Sequence, residues 1–291
     1  MKQKIRTYAE LVFIVVLVIL TFKYLQQFEW LKELKPKGST EKYIGLAGSV
    51  LAILIALAIH ELGHLITGLA QGFSFQLFVI GPLGIKREDE KIKVYFNKEL
   101  GYYGGVAAST PVNDDPENAK KFGNLILAGP IASFVFAIIF IVLSTNIGKP
   151  YSFTCFLTGF VSFGLFLATT IPTKTGMFFT DRKKYQRLTT PGKDQDVELA
   201  TLRIIGSYSK NGGYKEVAKS DILELVTDKN DFIKFYGLFN LLCFQNEIEK
   251  EIDPTTLEEY RMISKEMSKS LVIAFNKELE KNLKLNTTES C

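Results

Sequence analysis

Both histidines of the chain lie in one short segment, residues 60–64, whose sequence is HELGH. On a helix, residues four positions apart share a face, so His60 and His64 can bind the same metal ion. Glu61 lies beside them and is placed to act as a general base that takes a proton from a water molecule. The residue types and their spacing therefore indicate metal-dependent hydrolysis, with Zn²⁺ as the metal.

The HELGH segment stands at the end of a long apolar run, and three other runs have a similar character. The four runs cover approximately residues 8–25, 44–70, 122–143 and 153–172. A helix needs about 20 apolar residues to cross a bilayer, so each run predicts a membrane span. Each could alone be a buried helix of a soluble protein, but four together favour a membrane protein. Ionisable residues inside a span are costly and mark functional sites.

The sequence predicts a mainly α fold: a polytopic membrane helix bundle of about four spans, followed by a soluble helical region. Residues 1–181 would form a membrane-embedded metalloprotease domain, and residues 182–291 a cytoplasmic helical domain. Lys and Arg concentrate at the N-terminus, between spans two and three, and just after Asp181. This bias predicts a multi-pass protein of a bacterial cell membrane with both termini cytoplasmic, although the first outer loop is also basic.

The segment between spans two and three lacks helical periodicity. Apolar residues alternate partly with polar ones over residues 73–80 and 91–97, which predicts two or three short strands ending at the pair Gly104 and Gly105. Two interpretations remain open, a surface hairpin or a sheet edge that holds an extended substrate by strand addition. The second makes Gly104 and Gly105 candidate substrate-binding residues. The Gly-rich stretch before Pro111 and the first span are candidates for a gate.

A catalytic zinc site usually has three protein ligands, so a third must come from outside HELGH. The three cysteines are far apart and form no CxxC pair, which indicates neither a disulfide framework nor a thiolate site. Residues 118–180 contain no Asp or Glu, and Asp181 ends this gap just after the fourth span. Asp181 is the best candidate, with a plain helix-start carboxylate as the alternative. Other acids lie in a polar loop or a charged helix: Asp114, Asp115, Glu117 and Glu198.

The C-terminal region is dense in charge and reads as a set of soluble helices. Asp253 followed by Pro254 is typical of a helix N-terminus, with the proline at the first helical position. A plain helical bundle is the preferred interpretation, and a module that binds a protein partner is the alternative. The net charge of +4 is too small to indicate a nucleic-acid partner.

Three motifs in this order resemble the site-two protease family of intramembrane zinc metalloproteases, peptidase family M50. They are HELGH within a membrane span, Leu-Ala-Gly-Pro at residues 127–130 in the next span, and Thr180-Asp181 after Pro172. The resemblance covers about residues 43–185. It implies that His60, His64 and Asp181 bind Zn²⁺ and that Glu61 is the catalytic base.

The chain departs from the family pattern at three positions. Thr169 stands where the family often has an Asn before the proline, and the resemblance implies a substrate-binding role for this position. Ser133 stands where an Asn often follows the Gly-Pro element. Arg182 stands in place of a Gly after the aspartate, where its cation could pair with Asp181 and weaken a metal site.

These observations predict a zinc endopeptidase that cuts membrane-embedded proteins or peptides within the lipid bilayer. Two alternatives remain open. One is a catalytically inactive membrane regulator or immunity-type protein that retains the motif. The other is a membrane zinc protease of a different family, which usually takes a downstream Glu as third ligand.

Overall fold

The structure is a computed structural model, and it describes residues 38–88, 91–175 and 178–289. Most of these residues are helical. The first predicted span, residues 8–25, lies outside the described residues. The other three predicted spans fall within them, and so does the whole segment between spans two and three apart from residues 89 and 90.

Three helices in the described ranges are long and apolar enough to cross a membrane: α1 (Ser39–Ala70), α2 (Asn118–Asn146) and α3 (Tyr151–Thr170). Large apolar side chains such as Ile66 and Ile138 are exposed on these helices, at 60% and 51%. Exposed apolar surface on a long helix is expected where lipid, rather than protein, surrounds it. The predicted mainly α membrane fold is confirmed, as are the spans within the described residues.

Small residues allow the apolar helices to approach closely. A Cβ added at Gly159 of α3 would lie 2.9 Å from the carbonyl oxygen of Ala137 in α2. A Cβ added at Gly48 of α1 would lie 2.1 Å from the hydroxyl of Thr154 in α3. Membrane helices associate through such contacts, because apolar burial between helices gives little advantage over lipid.

The segment after α1 forms a four-stranded antiparallel sheet with strand order β3-β2-β1-β4. The strands are β1 (Ser74–Ile80), β2 (Leu83–Glu88), β3 (Lys91–Phe96) and β4 (Val106–Thr110). The sequence predicted a small sheet that ends at Gly104 and Gly105, whereas a further strand, β4, begins directly after Gly105. This strand is composed mainly of small residues, so it lacks the alternation of large apolar side chains on which the prediction depended.

A two-stranded hairpin, β5 (Lys174–Thr175) and β6 (Phe178–Phe179), leads from α3 into the C-terminal helices. These helices are α4 (Asp181–Thr189), α5 (Lys193–Asn211), α6 (Lys219–Val226), α7 (Asp231–Phe244), α8 (Pro254–Ser264) and α9 (Lys269–Glu289). The predicted start at Asp253 is present, since its carboxylate accepts a hydrogen bond from the Thr255 amide at 2.9 Å. The predicted C-terminal helical region is therefore confirmed.

The core of the C-terminal helices surrounds α7, whose Phe235, Leu238 and Leu242 are almost fully buried. Burying each such side chain contributes about 1.5–3 kcal/mol, so this core is large enough to order the surrounding helices. Asn230 ends the preceding loop by accepting hydrogen bonds from the amides of Phe232 and Ile233, which fixes where α7 begins.

The chain divides into two compact units, and α1 and α2 each contribute to both. The described part of the first is residues 38–60 with Pro130–Ala168, and the second comprises Glu61–Gly129 and the described residues from Thr169 onward. The division predicted from the sequence, residues 1–181 and 182–291, separates membrane from cytoplasm rather than compact units, and it stays a prediction.

Candidate metal centre

His60 and His64 lie one turn apart on α1, as their spacing predicts. The helix persists through this segment because it is rich in Ala, Leu and Ile and contains no proline. Both imidazoles are buried, with exposed fractions of 5% and 8%, and Glu61 is buried at 8%. Three ionisable side chains therefore share a buried position within an apolar helix, an arrangement that is costly unless it has a function.

The His64 ring is oriented by a backbone carbonyl of α2. Its Nδ1 lies 2.8 Å from the carbonyl oxygen of Leu125. A carbonyl can only accept, so Nδ1 donates this hydrogen bond, and in the neutral ring the lone pair is then on Nε2. Nε2 lies 3.5 Å from Oδ1 of Asp181. The tautomer with its proton on Nδ1 is the one in which a histidine binds a metal through Nε2, while a hydrogen bond holds Nδ1 in place.

The His60 ring has a different partner, the hydroxyl of Ser133. Nδ1 of His60 lies 2.9 Å from Oγ of Ser133, which is fully buried in α2. When Nδ1 of the neutral ring donates to this hydroxyl, Nε2 is the nitrogen with which the ring could bind a metal. The sequence drew attention to Ser133 as a departure from the family pattern but not as a partner of His60. Its position three residues after Pro130 was the available signal.

Asp181, the first residue of α4, completes a cluster that could hold a metal ion. One ligand atom each from His60, His64 and Asp181 all lie within 4.8 Å of one another. Two imidazoles and one carboxylate are the donor set of many catalytic zinc sites, which keep a fourth position for water. The residues present therefore fit Zn²⁺, and His60, His64 and Asp181 are the side chains that would hold it.

Two glycines leave the space that these side chains occupy. A Cβ added at Gly129 would lie 2.2 Å from Nε2 of His64. A Cβ added at Gly105, whose φ is +95°, would lie 2.8 Å from Oε1 of Glu61. Gly105, predicted as a substrate-binding residue, thus lies against the predicted base. Gly129 was not predicted as a site residue, although the Gly-Pro element of the sequence contains it.

The structure also describes the other residues that the sequence singled out. Arg182 is exposed, and its guanidinium lies 5.9 Å from the centre of the Tyr185 ring, the distance of a cation–π contact. Thr169 is partly buried in the last turn of α3, and Gly104 is exposed in the turn before β4. The substrate-binding roles of Thr169, Gly104 and Gly105 stay predictions.

One known protein family accounts for most of the chain. The model of peptidase family M50 matches residues 48–288, which is most of the chain. The chain belongs to peptidase family M50. This confirms the resemblance to site-two proteases and excludes a zinc protease of another family. The match extends beyond the motifs near residues 43–185 and includes the C-terminal helices. Searches of curated proteins and of solved structures each found no match.

Proposed function

We propose that this chain is an intramembrane zinc endopeptidase that hydrolyses peptide bonds of membrane-embedded proteins or peptides. The observation that carries the proposal is the cluster that Asp181 forms with His60 and His64 of the apolar helix α1, with Glu61 beside the histidines, in a member of family M50. Zn²⁺ bound to the three ligands would polarise the scissile carbonyl and lower the pKa of water.

Glu61 is the group that moves protons in this proposal. Its carboxylate takes a proton from the attacking water molecule and later gives that proton to the amine of the departing peptide. Glu61 is buried, and its carboxylate occupies the space that a side chain at Gly105 would fill, so that little reorganisation precedes the transfer.

Strand β4 is the proposed support for the substrate backbone. It is an edge strand in the order β3-β2-β1-β4, and it starts directly after Gly105, which lies against Glu61. An extended peptide that adds to this edge would run past the base, with its backbone fixed by strand hydrogen bonds. Such binding requires a locally unwound substrate, because a helical segment has no free backbone groups to offer.

The apolar helices and the basic residues support a proposal for the surroundings of the protein. We place it in a bacterial cell membrane with both termini cytoplasmic, so that the C-terminal helices can meet a soluble protein partner. Its substrate reaches the site from the bilayer rather than from water.

The substitution Glu61→Gln tests the proposed reaction. It keeps the size of the side chain but removes the base, so cleavage of a single-span reporter should fall by about 100- to 10,000-fold while zinc stays bound. Glu41→Gln, at the start of the same helix, is the matched control and should cleave normally. Native turnover by the Glu61→Gln protein would refute the role of Glu61. A zinc-loaded wild-type protein that cleaves no reporter would favour the inactive regulator.

A further inference from the structure

The helix that begins at Asp181 is anchored at its other end by a buried arginine. Arg187 of α4 is only 5% exposed. Its Nε lies 2.7 Å from Glu198, its Nη2 lies 3.0 Å from Asp228, and its Nη1 lies 2.8 Å from Asp194. Every nitrogen of the guanidinium therefore has a carboxylate partner. All three partners come from the C-terminal helices and their loops, outside the HELGH segment.

This arrangement specifies the position of α4 more strongly than a surface ion pair would. Burial opposes the charge of Arg187, but its hydrogen bonds and charge interactions with Glu198 and Asp228 outweigh burial and raise its pKa further. The guanidinium also lies 4.7 Å from the centre of the Phe179 ring, two residues before Asp181. A planar guanidinium with several fixed partners has one favourable placement, whereas the ammonium group of a lysine could take several.

The residue before Asp181 is fixed as well. Oγ1 of Thr180 donates to the carbonyl of Ile171 at 2.7 Å and accepts from the amide of Thr173 at 3.0 Å. The amide of Thr180 also donates to the carbonyl of Thr173 at 3.0 Å. Asp181 therefore lies between two anchors, the Thr180 hydrogen bonds on one side and the Arg187 cluster on the other.

Apolar contacts join the same helix to the support of His64. Leu188, next to Arg187, packs in a buried cluster with Leu125 of α2 and Leu202 of α5. The carbonyl of Leu125 is the acceptor for Nδ1 of His64. Helix α5, which also supplies Glu198, thus packs against the supports of two of the three proposed ligands.

We propose that Arg187 is a positioning residue, through which the C-terminal helices fix Asp181 in the metal centre. This proposal rests on the proposed function, because it concerns the affinity of the same site for Zn²⁺. The C-terminal helices would then help to form the metal centre and would be more than a separate module.

The test measures the affinity of the full-length purified protein for Zn²⁺ by competition with a chelator. Arg187→Met should weaken binding by about 10- to 100-fold, the usual effect of losing a residue that orients a metal ligand. Arg203→Met is the matched control, because Arg203 of α5 makes a two-bond ion pair with Asp221 on the surface of the same helices. The control should bind Zn²⁺ like the wild type.

A double-variant comparison separates positioning from a general loss of structure. If Arg187 acts through Asp181, then Arg187→Met should change the affinity little once Asp181→Ala is already present. Equal losses in both backgrounds would show a merely structural role and overturn the proposal. If the methionine variant does not fold, Asp228→Asn provides the same comparison, and an affinity unchanged from wild type in that variant also overturns it.

The same measurements distinguish this proposal from the proposed function. If Asp181→Ala alone leaves Zn²⁺ affinity unchanged, the proposed metal centre is wrong. If Asp181→Ala weakens binding but neither Arg187→Met nor Asp228→Asn does, the metal centre stands and only the role of Arg187 is refuted.

Discussion

The two histidines of the candidate metal centre are held by groups of different kinds. His64 donates to a backbone carbonyl, which no side-chain substitution at Leu125 removes. His60 contacts the hydroxyl of Ser133, which a single substitution can delete. The orientation of the His60 ring can therefore be changed by a single substitution at Ser133. Loss of this orientation should affect metal binding without removing any of the proposed ligands.

We expect Ser133→Ala to weaken Zn²⁺ binding by about 10- to 100-fold, since the imidazole of His60 loses the group that orients it. Chelator competition on the purified protein measures the change. Ser144→Ala is the matched control, because Ser144 lies on the same helix, is also buried, and donates to the nearby carbonyl of Ile141. If both variants bind Zn²⁺ like the wild type, Ser133 does not support the site.

The three residues of the cluster could be predicted from the sequence, whereas the groups that support them could not. The spacing of His60 and His64 encodes a shared helix face, and the long gap without acids singled out Asp181. Ser133 and the Leu125 carbonyl lie 73 and 61 residues from their histidines. Contacts at such separation depend on how helices pack, and local periodicity carries no information about that.

At the scale of elements, the close approach of α1 and α2 depends on the absence of a side chain at residue 129. Gly129→Ala would put a methyl group within 2.2 Å of His64 Nε2, so the imidazole or the helix must move. We expect the purified variant to lose most of its zinc, as measured by elemental analysis, while it remains folded in the membrane.

The control for this prediction is Gly164→Ala in α3, where an added Cβ meets nothing within 4 Å. This variant should retain zinc, and the helix should gain slightly in stability, by about 1 kcal/mol, because alanine is the better helix former. Full zinc content in the Gly129→Ala protein would mean that Nε2 of His64 does not face the metal.

Elements whose residues follow a strong periodic or apolar pattern could be predicted from the sequence. Elements defined by long-range contacts could not. The lengths of the apolar runs predicted α1, α2 and α3, and Asp253 predicted the start of α8. Strand β4 was missed because its residues are small. The Arg187 cluster was missed because its carboxylates lie 7, 11 and 41 residues away, on α5 and in the loop before α7.

At the scale of the whole molecule, the orientation of the chain in the membrane is a prediction that can be tested. Basic residues after Asp181 predict that the C-terminal helices are cytoplasmic. A reporter that is active only in the cytoplasm should therefore be active when it is fused to the C-terminus. The same reporter should be inactive when it is fused near residue 148, between α2 and α3. The reverse pattern would show that the topology is inverted.

The most direct test of the account is the zinc content of the purified protein and of three variants. The wild type should contain one zinc ion per chain, and His64→Ala and Asp181→Ala should lose it or bind it far more weakly, since each removes a ligand. Asp114→Ala, which removes an acid of the polar loop before α2, should keep the full content. Full zinc in the His64→Ala protein, or a wild type that binds none when Zn²⁺ is supplied, would contradict a metal centre formed by His60, His64 and Asp181.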